Sequence, residues 1–283
     1  MKTIANRRIA YWSLRILPLA IIAFVWFFGV QCIVWWKVRQ FEKSNPVLRV
    51  IPQPLRDTAP AKQPGLRLSV YGYEFEVPWG DIDKEKTRSG DFVTIYYFRS
   101  GPFLMFSNPE KARSAKEILL ADDEKRKVAM QIWGEKALGS NFALTKAMLE
   151  TTPAQMSVFA PRPKVVGLGI LLMLKMLPAT GGETGIFAFD APTLRGFQMG
   201  DPDKKPKSLS VRAFDMGDHQ LEITFGIQAG YAGQISQPEV NRVLQTTRPA
   251  AKSGDWSGTE LSASRREAQD SSRRICSSVR RPG

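Results

Sequence analysis

Few residues in this chain are of types and spacings that carry out chemistry. Glu74 and Glu76 alternate with Tyr73 and Phe75. Two carboxylates can act as general acid and base, but a strand period of two puts both on one face, most simply the wet one. Asp81-Ile82-Asp83-Lys84-Glu85 alternates acids as calcium loops do. Lys86 stands where such a loop needs glycine, and Phe92 where it needs a bidentate glutamate. Lys84, Lys86 and Arg88 also neutralise the acids, so the segment reads as a solvated loop. His219 is the sole histidine, which excludes a multi-histidine metal site and leaves a Ser-His-Asp triad no other base. It follows Gly217-Asp218, a turn pair, and reads as an exposed turn residue. No G-x-S-x-G elbow accompanies it. Gly167-Leu168-Gly169 lacks the third glycine of a dinucleotide fingerprint, and no clear strand precedes it; close helix packing is the ordinary reading. Leu177-Pro178-Ala179-Thr180-Gly181 spells a wall-sorting signal without the hydrophobic span and basic tail such a signal needs, and reads as a helix stop. The sequence therefore assigns no catalytic, cofactor-binding or metal-ligating residue.

Charge distribution narrows the partners. The net charge is +13, but residues 1–64 carry +8, residues 247–283 carry +4, and residues 65–246 only +1. A nearly neutral central domain offers no basic face to nucleic acid. The excess charge lies beside a long apolar block and in the tail, where lipid headgroups are the usual partners of juxtamembrane Lys and Arg. The two cysteines, Cys32 and Cys276, lie outside the central domain, so no disulfide staples it, and they do not fix the redox compartment.

The apolar block is Ile16 to Trp36, 21 residues without a charge. As a helix it spans about 31 Å, the thickness of a bilayer's hydrocarbon core. Tyr11 and Trp12 precede it and Trp35 and Trp36 close it, as interfacial rings do. Pro18 sits in the first turn, where its missing N–H costs little. The hydrophobic stretch is too long for a cleaved signal, and no A-x-A pattern follows it. Gln31 before Cys32 is wrong for a lipoprotein box. An uncleaved signal-anchor is the expectation. Basic residues flank both ends almost equally; a short N-terminal tail usually stays in the cytoplasm, which leaves the domain outside.

Five parts follow: a basic N-terminus (1–15), the transmembrane helix (16–36), a Pro-rich juxtamembrane stalk (37–65), a globular α+β domain (66–246) and a disordered Ser/Arg-rich tail (247–283). The stalk is expected to be extended because Pro46, Pro52, Pro54, Pro60 and Pro64 crowd its length. The run from Leu66 to Val77 alternates around Gly72 and predicts two short strands or one bent strand. Asp91–Arg99 and Pro102–Phe106 are further strands. Helices are predicted from Asn108 (N-cap) to Leu120, over Asp122–Leu138, from Asn141 (cap) to Leu149, and over Val165–Leu177 packed on the core. Strands return at Ile186–Phe189, Thr193–Met199, Ser208–Phe214 and Gln220–Phe225. A short helix, Ser236–Gln245, closes the domain, with Glu239 three residues after its cap. Strands, then helices, then antiparallel strands define an α+β class, here a mainly antiparallel sheet packed with several helices behind a single N-terminal transmembrane helix.

The phrases YGYEFEVPW (71–79), LRGFQMGDP (194–202), SVRAFD (210–215) and SQPEVNRVLQ (236–245) resemble those of PsbP-like α/β modules in bacterial membrane-anchored proteins of unassigned role. The resemblance covers about Leu66 to Thr246 and carries over no functional residue; the helical insert from Asn108 to Leu177 is larger than that pattern expects. The functional expectation is a single-pass cell-membrane protein, its domain outside the cytoplasm. It would be a non-enzymatic binding or scaffold module whose partners are the bilayer and a membrane or envelope protein, with no nucleic acid on the core domain. The alternative is a membrane-anchored hydrolase with a carboxylate-based site.

Overall fold

The computed structural model describes residues 25–63, 65–111, 114–176, 185–204 and 206–250. Its elements are α1 (residues 25–44), β1 (Gln53–Pro54), β2 (Leu66–Val70), β3 (Tyr73–Val77), β4 (Arg88–Ser89), β5 (Val93–Tyr97), β6 (Pro102–Ser107), α2 (Ala115–Leu120), α3 (Asp123–Trp133), α4 (Glu135–Leu138), α5 (Asn141–Glu150), α6 (Arg162–Met176), β7 (Ile186–Asp190), β8 (Leu194–Met199), β9 (Ser208–Asp215), β10 (Gln220–Ile227) and α7 (Gln237–Thr246). The chain is α+β. An eight-stranded sheet runs in the order β1-β7-β8-β9-β10-β6-β5-β4, antiparallel except where β1 pairs with β7.

The two faces of the sheet have different cover, and period-two alternation decides which residue meets which. On one face Leu194, Leu209, Val211, Ala213, Leu221, Ile223, Phe225, Leu104 and Phe106 meet the β2–β3 hairpin and α7, which supply Phe75, Val77, Val240, Val243 and Leu244. On the other, Phe197 and Phe214 meet α5, with the Phe142 ring stacked on Phe197 at 5.4 Å. The hairpin turns at Tyr71 (φ 47) and Gly72 (φ 78), two left-handed positions as a tight two-residue turn requires, and pairs Val70 with Tyr73.

The helical insert departs from the sequence expectation at three caps. Asn108 does not cap a helix. Its side chain donates to Asp91 O and accepts from Glu110 N–H, which closes a turn, while Ser114 forms a capping box with Glu117 and starts α2. The expected Asp122–Leu138 helix breaks at Gly134, whose φ of 78 ends α3 before α4 begins. Ser140, not Asn141, caps α5, because its hydroxyl accepts from Ala143 N–H. The Ser236 cap holds: Glu239 accepts from the Ser236 amide and hydroxyl, and also from the Trp79 indole at 2.9 Å.

The segment expected to be an extended stalk, residues 37–65, is folded instead. The chain does not become a stalk at Lys37. Helix α1 continues to residue 44, and residues 45–63 then lie along the domain. Val47 and Leu48 are buried, Gln53 and Pro54 pair with Phe187 and Ala188, and Asn241 donates to Asp57 O and Ala59 O at 3.0 Å each. Burial of Val47 and Leu48 outweighs the extended bias of the prolines. Pro46 starts a 3-10 turn and Pro54 occupies an edge strand, both positions where a missing N–H is harmless. The packed unit thus starts upstream of Leu66. The tail beyond Ala250, with Cys276, and the Leu177–Gly181 motif lie outside the described residues.

Among the described residues no helix is long and apolar enough to cross a membrane. Helix α1 includes residues 25–36 of the expected span, and residues 16–24 lie outside the described residues.

Candidate functional site

The open end of the sheet carries a cleft of about 780 Å³. Its walls are the β1 segment from Gln53 to Asp57, the β8–β9 connection with Asp201 and Asp203, and Gln234 to Pro238 at the start of α7. Beneath it runs a ladder of buried amides that sequence reading missed. Gln198 on β8 and Gln237 on α7 exchange hydrogen bonds at 2.7 and 3.0 Å, and Gln237 donates to Asn241 at 2.8 Å. Asn241 holds the backbone after β1, so sheet, helix and edge segment are fixed to one another. Buried amides must find partners, and these side chains partner each other. The signal available in sequence was thin: polar residues at inward positions of elements that otherwise read as amphipathic.

Two of the cleft's carboxylates have local backbone partners. Asp57 accepts from Ala59 N–H, and Asp201 from Asp203 N–H, so each closes its own turn. Arg56 stands beside them, and β1 leaves an open sheet edge along this wall.

The other sequence candidates are used structurally. Glu74 and Glu76 share a face of β3 and are met by arginines: Arg248 lies 3.2 Å from Glu74, and Arg242 2.6 Å from Glu76. The Arg242 hydrogen bond holds the Glu76 carboxyl below its ordinary range. Asp81 accepts from the Ser100 amide and hydroxyl, and Asp83 accepts from the Glu85 and Lys86 amides. No three His, Cys, Asp or Glu side chains among the described residues form a metal-holding group. Gly167 and Gly169 sit on opposite sides of α6; a Cβ on Gly167 would meet Val128 of α3 at 2.5 Å, and one on Gly169 would meet Val34 of α1 at 2.8 Å. They are helix-packing glycines.

His219 is better connected than its turn position suggested. It is 70% exposed, yet its Nδ1 donates to Asp215 at 3.0 Å. Asp215 ends β9 and is buried. It also accepts from the Tyr73 hydroxyl at 2.8 Å and from the Gly217 and His219 amides at 2.9 Å each. Burial pushes the Asp215 carboxyl up, but these donors together outweigh it and hold the group below its ordinary value. Burial and the Asp215 carboxylate push the Tyr73 hydroxyl up. Asp218, in the left-handed region at φ 65, accepts from the Asn141 and Phe142 amides and ties the same turn to the start of α5. The Asp215–His219 pair has the connectivity of a base with its orienting carboxylate, but the cleft described above does not contain it.

Two buried charges anchor the helical insert. Glu42 on α1 accepts from Arg39 and Arg49 at 2.8 Å each. Lys175 at the end of α6 donates to Val50 O at 2.7 Å and Thr151 O at 2.9 Å, and burial pushes its ammonium down to about 8.

No protein family, curated protein or solved structure matches this chain.

Proposed function

We propose that this is a single-pass membrane protein, anchored by residues 16–36, whose extracytoplasmic α+β domain binds a polar segment of a membrane or envelope protein in the cleft beside β1. The observation that carries the reading is the exposed side of α1. Trp26 is 84% exposed, and Val25, Phe27, Val30, Ile33 and Trp36 lie open with it. A contiguous apolar helix face of this kind marks a membrane or protein contact, and here it continues the uncharged run that begins at Ile16. Asp57, Asp201 and Asp203 outnumber Arg56 at the cleft, which favours a basic partner segment. The PsbP-like likeness stands as a proposal about fold ancestry, resting on the phrases held by β3, β8, β9 and α7.

The test uses a Cys-free full chain (Cys32→Ser, Cys276→Ser) carrying Arg56→Cys at the cleft or Met216→Cys at the β9–β10 turn. Intact cells are treated with a membrane-impermeant, thiol-reactive photo-crosslinker. Both sites should be labelled, and only the cleft site should give a discrete crosslinked partner. Labelling that requires lysis would overturn the outward orientation; the same crosslinks from both sites, or none, would overturn the cleft.

The Asp215–His219 pair favours one second reading, a membrane-anchored hydrolase. That reading requires turnover of model esters, abolished by His219→Gln at unchanged Tm. The binding reading expects no turnover to abolish.

A further inference from the structure

The packing of α1 fixes what else must lie at the depth of the membrane. Helix α1 has two sides. Gln31, Val38 and Glu42 are buried, and Val34 and Val38 pack against α6, whereas Trp26, Phe27, Val30, Ile33 and Trp36 are exposed. The Phe28 and Phe159 rings meet edge to face at 5.8 Å, and Gly169 lies against Val34. Contact positions rise together along both chains, so α6 runs parallel to α1, with its start beside Phe28. If Trp36 marks the domain-side interface, Phe28, eight residues earlier, lies about 12 Å below it. The segment that touches Phe28 must then lie below the interface too.

The composition of that segment agrees. Residues 151–161 (TTPAQMSVFAP) carry no charge, and neither do residues 165–174. Between them the charges are Arg162 and Lys164, two long cations flanking Pro163 whose stems can lie in apolar surroundings while their heads reach phosphate. Phe159 is 73% exposed, and on α6 Ile170 is exposed as well. Along its other flank α6 borders a groove of about 370 Å³, shared with Val128 and Ile132 of α3 and, at its edge, with Glu124 and Lys125. An uncharged loop with an exposed ring at its tip and long cations beside it are the features of a segment that enters a bilayer from its surface.

We propose that Ser157–Pro161 and the first half of α6 form a second membrane-embedded element, which enters the domain-side leaflet beside α1, sets Phe159 among the acyl chains and brings Arg162 and Lys164 to the headgroup phosphates. This rests on the anchor reading above. It makes the domain sit down on the bilayer rather than stand off on a stalk.

The experiment uses the Cys-free full chain with Phe159→Cys, Ile170→Cys or Met216→Cys, labelled with an environment-sensitive fluorophore. Each is reconstituted into phosphatidylcholine–phosphatidylglycerol vesicles. Met216 is 87% exposed and serves as the aqueous reference. The Phe159 label should be quenched by doxyl-labelled lipid about threefold or more over the Met216 label, and the Ile170 label should fall between them, as their depths require. Vesicles that float with the protein but leave the Phe159 label as open to aqueous iodide as Met216 would overturn the embedded loop and leave the anchor standing. Protein that does not float with vesicles would overturn the anchor and the loop together.

Discussion

Replacing Asp215 with alanine should lower Tm by on the order of 10 °C, because its buried carboxylate closes hydrogen bonds from three different places. The Tyr73 hydroxyl, the His219 ring and two backbone amides all donate to it. The substitution leaves the buried Tyr73 hydroxyl without its partner and frees the β9–β10 turn. By contrast, His219→Ala should hardly move Tm, because the ring is exposed and the other donors remain. Acid has the same target. The Asp215 carboxyl titrates below its ordinary 3.8 in the fold, so its contribution is complete above that value and is lost as pH falls through the folded-state value. Thermal melts across that window should fall more steeply for the wild type than for Asp215→Asn. Equal profiles, or a Tm loss below about 3 °C for the alanine variant, would show that the cluster does not hold the turn.

Raising the pH from about 8 toward 10 should stabilise the protein, an effect traceable to Lys175. Its ammonium is buried against two carbonyls, and burial lowers its value from 10.5 to about 8. In this window the unfolded chain holds the proton that the folded chain has released, so stability rises with pH. The full difference is on the order of 3 kcal/mol. Above pH 10 the trend is opposed by Tyr96, which burial pushes up to about 12, so the rise belongs below that point. Lys175→Met keeps the stem and removes the titration, and its profile from pH 8 to 10 should be flatter than the wild type's. A wild-type profile without the rise, or a variant that keeps it, would contradict this account.

The α+β class was legible because alternation and caps are local. The strand pattern of β8, β9 and β10 and the Ser236–Glu239 box each depend on residues a few positions apart. What escaped depends on distant partners. Val47 and Leu48 read as ordinary residues in a Pro-rich run, and it takes a cluster drawn from distant α1, α6 and Met156 to bury Leu48. Asn108 and Asn141 are good cap types, but the helices start at Ser114 and Ser140 because the asparagines are drawn into bonds with Asp91 and Asp218. His219 was correctly placed in a turn. That its ring meets a buried aspartate depends on Tyr73, more than a hundred residues away in sequence. The cleft was invisible for the same reason: β1 is two residues long and exists only because β7 pairs with it.

The central claim is that this chain is held in a bilayer through residues 16–36. The most direct test is alkaline carbonate extraction of membranes from cells expressing the full chain, with N-terminal sequencing of the product. The protein should stay in the pellet with its N-terminus intact. Recovery in the soluble fraction, or a mature N-terminus near Cys32, would contradict it.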